Sequence, residues 1–206
     1  MIGIINYGNG NLTSILNSIN DLKLKVEIIN YNFKDIDKYS YIILPGVGSF
    51  GQAISNLKKY NLMNLIMDKY KKGNLKILGI CLGMQLLFEN SEESEGFNGF
   101  GLIKGKVKKI KQNKLYKVPN IGWRKIEIID DKDKLFNFKN ENDDIFYFAH
   151  SFYCDCLNKN LVTSKIDYGF SIPASISTYN ILGLQFHPEK SQLAGLSLLK
   201  NFFKAN

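Results

Sequence analysis

Histidine is nearly missing from this chain of 206 residues, which has two, together with three cysteines, four prolines and one tryptophan. Each scarcity narrows the chemistry. With only His150 and His187 present, any general base that is a histidine must be one of these two. An odd number of cysteines, behind a start with no secretory character, argues against a disulfide framework. Cys154 and Cys156 form a C-x-C pair, which is not a zinc spacing by itself and has only His150 close in sequence. Both are therefore expected to be structural, and nothing calls for a metal or an organic cofactor. No apolar run approaches the roughly 18 residues that cross a bilayer. The start, Met1-Ile-Gly-Ile-Ile-Asn6, lacks a basic region and a cleavage site and reads as a first strand. A cytoplasmic protein without a membrane contact is the expectation.

What is present is an ordinary globular composition, 45% hydrophobic and 22% charged, which excludes a disordered chain. The formal charge of +8 arises from 27 Lys and Arg against 19 Asp and Glu, and these cations are scattered. The densest run, Lys104 to Lys117, alternates with apolar residues as a half-exposed strand does. A phosphate or partner patch is the other reading of that run, and no nucleic-acid partner is expected.

Along the first half, strand and helix patterns alternate. Strands are expected at Ile2–Asn6, Lys25–Asn30, Tyr41–Leu44 and Lys76–Cys81. Helical periods run from Thr13 to Leu24, from Ala53 to Tyr70 and from Leu82 to Glu89. The second half is strand-like at Val107–Ile110, Trp123–Ile129, Ile145–His150, Leu161–Ile166, Ala174–Thr178 and Ile181–Phe186, with a final helix from about Leu193 to Phe203. This order predicts an α/β fold of three layers: a mostly parallel central sheet, helices on both faces, and an antiparallel β extension or a second small sheet. With no linker, repeat or low-complexity tract, residues 1–206 are expected to form a single domain.

The most informative segment is Lys76-Ile-Leu-Gly-Ile-Cys-Leu-Gly-Met-Gln-Leu-Leu-Phe88. Here G-x-C-x-G joins an apolar strand to a helix, the cysteine form of a nucleophile elbow. Gly79 and Gly83 would let neighbouring backbone approach. The helix start would favour the Cys81 thiolate, and the Leu82 amide would donate to an oxyanion. A buried cysteine closing a central strand is the plainer reading. His187 ends another apolar strand and precedes Pro188, which keeps it extended. Glu189, two positions on, would point to the same side and orient the imidazole. His150 has no such carboxylate and is the weaker base, with a substrate, interface or structural role instead. Pro45-Gly-Val-Gly-Ser-Phe-Gly51 lacks the phosphate-loop patterns. It reads as a flexible loop in which Gly46 and Gly48 allow the peptide at Val47 to turn and give a second oxyanion donor, or simply as a tight turn.

Gly79-Ile-Cys-Leu-Gly-Met-Gln85 and Gln185-Phe-His-Pro-Glu189 resemble the class I, triad-type glutamine amidotransferases. With Leu44–Phe50, Lys117–Trp123, His150–Phe152 and His187–Ser191, the resemblance spans essentially the whole chain. It is nearest to glutaminase subunits that feed ammonia to a (β/α)8 cyclase in histidine biosynthesis. The resemblance implies a Cys81, His187, Glu189 triad acting on L-glutamine and an oxyanion hole from Val47 and Leu82. Gly46, Gly48, Gln85, Glu93, Ser151 and Phe152 would bind the substrate, with Asn11, Trp123 and His150 near the partner, in a heterodimer. The chain departs from the family pattern at Asn120, Arg124 and Phe152, where His, Asn and Tyr are frequent. The partner-facing segment has thus changed, and relatives that supply sugar amidation are the alternative.

Overall fold

The computed structural model describes residues 1–8, 11–31, 35–112, 114–130, 134–137 and 144–204. The chain runs β1 (Ile2–Ile5), α1 (Leu12–Asp21), β2 (Val26–Ile29), β3 (Tyr41–Leu44), α2 (Phe50–Lys59), α3 (Leu62–Lys71), β4 (Lys76–Ile80) and α4 (Leu82–Leu86). There follow β5 (Asn90–Ser91), β6 (Gly105–Lys109), β7 (Asn120–Lys125), β8 (Glu127–Ile128), β9 (Ile145–His150) and β10 (Phe152–Cys156). The last elements are β11 (Val162–Asp167), β12 (Ser171–Ser177), β13 (Ile181–Leu184) and α5 (Gln192–Lys204).

The central sheet has the order β2-β1-β3-β4-β13-β12-β11-β8. From β2 to β13 every pairing is parallel, and β12, β11 and β8 continue antiparallel. The parallel strands are apolar on both faces, as a sheet buried between helices requires. Ile5, Ile42, Leu44 and Ile77 pack with Phe50, Ile54, Leu57 and Ile66 of α2 and α3. Their neighbours Ile4, Ile43, Leu78 and Ile80 pack on the opposite face with Ile15 and Ile19 of α1 and Leu198 and Phe202 of α5. The three layers and the antiparallel extension are thus as the sequence predicts. Two smaller sheets, β10-β6-β5 and β7-β9, lie beside the main one.

Three expected elements differ. The helix read over Ala53–Tyr70 is two helices, broken at Asn61, which takes a left-handed conformation (φ 57°) that asparagine tolerates better than most residues. The strand read over Trp123–Ile129 divides around Ile126: β7 pairs with β9, whereas β8 joins the central sheet beside β11. The helix read over Leu82–Glu89 closes at Leu86. In the lysine-rich run, β6 alternates as expected, with Val107 buried and Lys106 exposed. Lys106 pairs with Glu92 and Lys108 with Asp155.

Two glycines separate close packing from backbone freedom. A Cβ on Gly83 would lie 1.9 Å from the Leu44 carbonyl oxygen, and backbone cannot yield there. At Gly73, just past α3, a Cβ meets nothing within 4 Å, but φ is +81°. Gly83→Ala is therefore expected to cost about 3 kcal/mol or more, and Gly73→Ala about 1 kcal/mol. Urea denaturation of the two variants measures both. Equal costs would contradict this packing account.

Candidate active site

Cys81 follows the last residue of β4, at the carboxyl edge of the parallel sheet. Its backbone (φ 51°, ψ −104°) is one that non-glycine residues rarely adopt, at a cost on the order of 1–3 kcal/mol. The surroundings hold it there. The Cys81 amide donates to the Leu184 carbonyl at 2.6 Å, and the Gln85 amide donates to the Cys81 carbonyl at 3.2 Å. Close backbone contact explains the glycines: a Cβ at Gly46 would lie 1.9 Å from the Ile80 carbonyl oxygen and 2.8 Å from Cys81 Cβ. With five residues, α4 carries only a small dipole, so the positive charge near the sulfur comes chiefly from a side chain.

That side chain is His187. It lines the same cavity as Cys81, and the two groups couple electrostatically. Its Nδ1–H donates to Glu189 Oε1 at 2.8 Å, which leaves Nε2 for the sulfur. Pro188–Lys190 is a 3-10 turn, so Glu189 reaches the ring by a tight turn and not by the strand alternation read from the sequence. The turn is anchored: the His187 amide donates to the Tyr147 carbonyl, and Ser191 Oγ donates to the His187 carbonyl. The side chains of His187 and Glu189 are both 2% exposed. Burial by itself would lower the His187 pKa. The hydrogen bonds and charges of Cys81 and Glu189 outweigh it and lift the pKa to about 10. Among the described residues Glu189 Oε2 has no hydrogen-bond partner, so the carboxylate's charge is directed at the imidazolium alone.

These groups border a cavity of about 280 Å³, lined in part by Gly46, Val47, Gly48, Leu82, Gln85 and Glu93. Ser151, Phe152 and His150 lie across from them, with Pro119, Ile121, Ala149 and Lys190, which the sequence did not single out. Val47 is 41% exposed, and Gly48 (φ +116°) holds a conformation suited to glycine. The loop is fastened at both ends. The Tyr7 phenol donates to the Pro45 carbonyl, and Glu93 Oε2 and Ser94 Oγ accept from the Phe50 and Gly51 amides at the start of α2. Asn11 and Trp123 are not part of the cavity wall. Asn11 caps α1, and Trp123 is half exposed on β7, edge-on to Tyr147. Residues 9 and 10, just before Asn11, lie outside the described residues.

His150 is buried and saturated with hydrogen bonds. It lies 2.8 Å through Nδ1 from the Phe152 carbonyl and 3.0 Å through Nε2 from Asn120 Nδ2. A carbonyl only accepts, so Nδ1 carries the proton and Nε2 receives the Asn120 N–H. Asn120 Oδ1 in turn accepts from Arg124 Nε at 3.1 Å. Asn120 and Arg124, two of the three positions that depart from the family pattern, thus form one structure with His150. The Asn120 contact depends on the β7–β9 pairing, across 30 residues, which no local pattern announces. Burial lowers the His150 pKa to about 4, aided by the charge of His187 and opposed by the Phe152 bond. His150 is therefore neutral at physiological pH and holds the Phe152 carbonyl in place. Cys154 and Cys156 are buried free thiols. Among the described residues no cluster of His, Cys, Asp and Glu could hold a metal ion, and no helix is long and apolar enough to cross a membrane.

The two histidines give opposite pH dependences. The folded pKa of His187 lies above its ordinary 6.5, so its stabilisation is full below about pH 6.5 and is lost as pH rises through about 10. That of His150 lies below 6.5, so stability falls as pH drops from about 6.5 towards 4. Urea midpoints at about pH 4.5, 6.5 and 9 should be highest at the middle value. In His187→Gln the decline between about 6.5 and 9 should disappear; an unchanged decline would refute the assignment.

Residues 3–206 match the family model described as Glutamine amidotransferase class-I. The chain is 42% identical to the imidazole glycerol phosphate synthase subunit HisH of Bacillus subtilis (strain 168), with 99% of this chain and 96% of that protein covered. It is 41% identical to the protein of that name from Methanocaldococcus jannaschii, with 98% of each covered. A solved structure described as PurLQS from Thermotoga maritima shares the fold, with a TM-score of 0.72 at 20% identity over 99% of this chain and 95% of that one. A crystal structure of a glutamine amidotransferase gives 0.74 at 14% identity, over 99% and 97%. A buried cysteine–histidine–carboxylate array on this sheet, with a family match over nearly every residue, has one reading: the chain belongs to the class I glutamine amidotransferases.

Proposed function

We propose that residues 1–206 act as one amidotransferase domain, the glutaminase subunit of an imidazole glycerol phosphate synthase, and that it passes ammonia to a (β/α)8 cyclase. The observation that supports the chemistry is the placing of Cys81 on one cavity with an imidazole whose Nδ1 is held by Glu189.

Cys81 Sγ attacks the carboxamide carbon of L-glutamine, and the amides of Val47 and Leu82 receive the developing oxyanion. His187 protonates the departing nitrogen, the C–N bond breaks, and ammonia leaves a glutamyl thioester. Water then attacks, giving its proton to His187, and the C–S bond breaks to release glutamate. Gly46, Gly48, Gln85, Glu93, Ser151 and Phe152 form the substrate walls, with the Glu93 carboxylate and Lys190 ammonium suited to an amino acid's two charges. Exposed apolar side chains at the mouth, Val47, Ile121 and Trp123, fit a docking face. Asn11 and His150 complete the proposed partner side.

The test is to mix the purified chain with the cyclase and its nucleotide ligand. Glutamine hydrolysis should rise roughly 5- to 150-fold; no stimulation would rule out the histidine-pathway assignment. The alternative recipient is a sugar amidotransferase served by the same glutaminase chemistry. Rescue of a histidine auxotroph by this chain would count against it.

A further inference from the structure

Cys81 has a second polar neighbour for which the mechanism has no use. Gln185 is fully buried, one residue past the end of β13. β13 pairs with β4 in parallel register, with Leu184 opposite Ile80, so one step further brings Gln185 level with Cys81. Its Nε2 lies 3.7 Å from Cys81 Sγ, within hydrogen-bond range for sulfur, and its backbone N–H donates to the Ala174 carbonyl at 2.8 Å.

The carboxamide could face the sulfur with nitrogen or with oxygen, and the neighbours decide which. The Phe152 carbonyl can only accept, so the Gln85 atom 3.2 Å from it is Nε2. The same Nε2 lies 3.5 Å from the Gln185 carboxamide, which must therefore present Oε1 to it. Nε2 of Gln185 then faces Cys81. The Phe152 carbonyl is fixed in turn by His150, whose tautomer is set by Asn120 and Arg124. His150 and Gln85 thus both donate to the Phe152 carbonyl, and from Gln85 donation continues through Gln185 to the sulfur.

We propose that Gln185 is a further catalytic residue, whose carboxamide N–H stabilises negative charge on the Cys81 sulfur. The proposal rests on Cys81 being the nucleophile. Among the described residues Sγ has Gln185 as a donor and the Ala149 carbonyl as an acceptor at 3.9 Å, with the His187 imidazole lining the same cavity. When His187 gives its proton to the departing nitrogen, its positive charge goes with it. Gln185 has no proton to lose at neutral pH and keeps its donor throughout. It acts most strongly on the thiolate, as nucleophile at the start and as leaving group when the thioester is hydrolysed. It takes no proton and forms no covalent bond.

The experiment compares Gln185→Met, which keeps the shape and removes the donor, with Gln185→Glu, which places an acceptor beside the sulfur. The readouts are the second-order rate of Cys81 alkylation by iodoacetamide at neutral pH, located by peptide mass spectrometry, and kcat and KM for glutamine hydrolysis. Gln185→Met should lower alkylation and kcat about tenfold each with KM within about twofold. Gln185→Glu should lower both further. Alkylation within about twofold of the original chain in either folded variant would overturn the proposal. Should Gln185→Met fail to fold, Gln185→Glu decides alone. If neither variant folds, Gln185 serves the fold and the proposal is overturned. Alkylation needs no substrate or partner. A failure of the nucleophile assignment would show separately, as slow Cys81 alkylation in the unaltered chain and no further loss in His187→Gln.

Discussion

Cys81→Ala should abolish glutamine-dependent synthesis, by about 10⁴-fold or more, while synthesis from ammonium salts with the proposed partner stays within about twofold of the original. The loss follows from removing the proposed nucleophile, which leaves the proposed base and oxyanion donors nothing to serve. The retention follows from treating the subunit as a source of ammonia whose other contacts are untouched. Alanine meets the same left-handed backbone demand as cysteine, so the elbow keeps its strain without an added Cβ branch. Sγ is buried and the cavity would gain only its volume. Measuring both activities in the assembled pair separates the two effects. If the variant lost both, the sulfur would matter to assembly and the ammonia-source reading would fall.

Removing the base should be nearly as severe, with His187→Ala lowering glutamine turnover by about 10³- to 10⁵-fold. Alanine also strips Glu189 of the one side-chain partner it has among the described residues. Both carboxylate oxygens would then be buried and unpaired, a destabilisation on the order of 3–5 kcal/mol. His187→Gln can still donate to Glu189 and should therefore be folded but inactive, which isolates the chemical loss. Because the triad acts as a unit, Cys81→Ala combined with His187→Gln should be no slower than Cys81→Ala alone. Near-normal turnover in either histidine variant would refute the base assignment. A multiplied loss in the combined variant would mean that the two groups serve different steps.

Which parts of this molecule are legible in its sequence follows from how local their causes are. The elbow is legible because strand, cysteine and glycines are contiguous. The central sheet is legible because its strands are apolar on both faces. The break at Asn61 carries no distinctive signal, because Asn56 and Asn64 stand inside the flanking helices and the helical period continues across it. The division of Trp123–Ile129 carries none, since its halves belong to different sheets and the partners, β9 and β11, are remote in sequence. β10 does have an alternation, Phe152, Cys154, Cys156, that marks a strand beyond the six expected in the second half. The His187–Glu189 contact is expected from strand alternation; the 3-10 turn after Pro188 makes it instead. The hydrogen bonds from Arg124 through Asn120 to His150, and the position of Gln185 beside the sulfur, are products of register between distant strands. The motif makes Gln185 visible as a letter without showing where its side chain goes.

The parallel pairing of β4 with β13 has a corollary. The spacing between thiol and imidazole is set by one interstrand step, although the chain makes an excursion of about half its length between them. Within that excursion Ala149 of β9 and Gln185 lie beside the sulfur. Trp123 of β7, half exposed and outside the cavity wall, makes none of these contacts. Under the proposed function, the residues that release ammonia and the exposed side chain suited to meeting its recipient therefore sit on different strands.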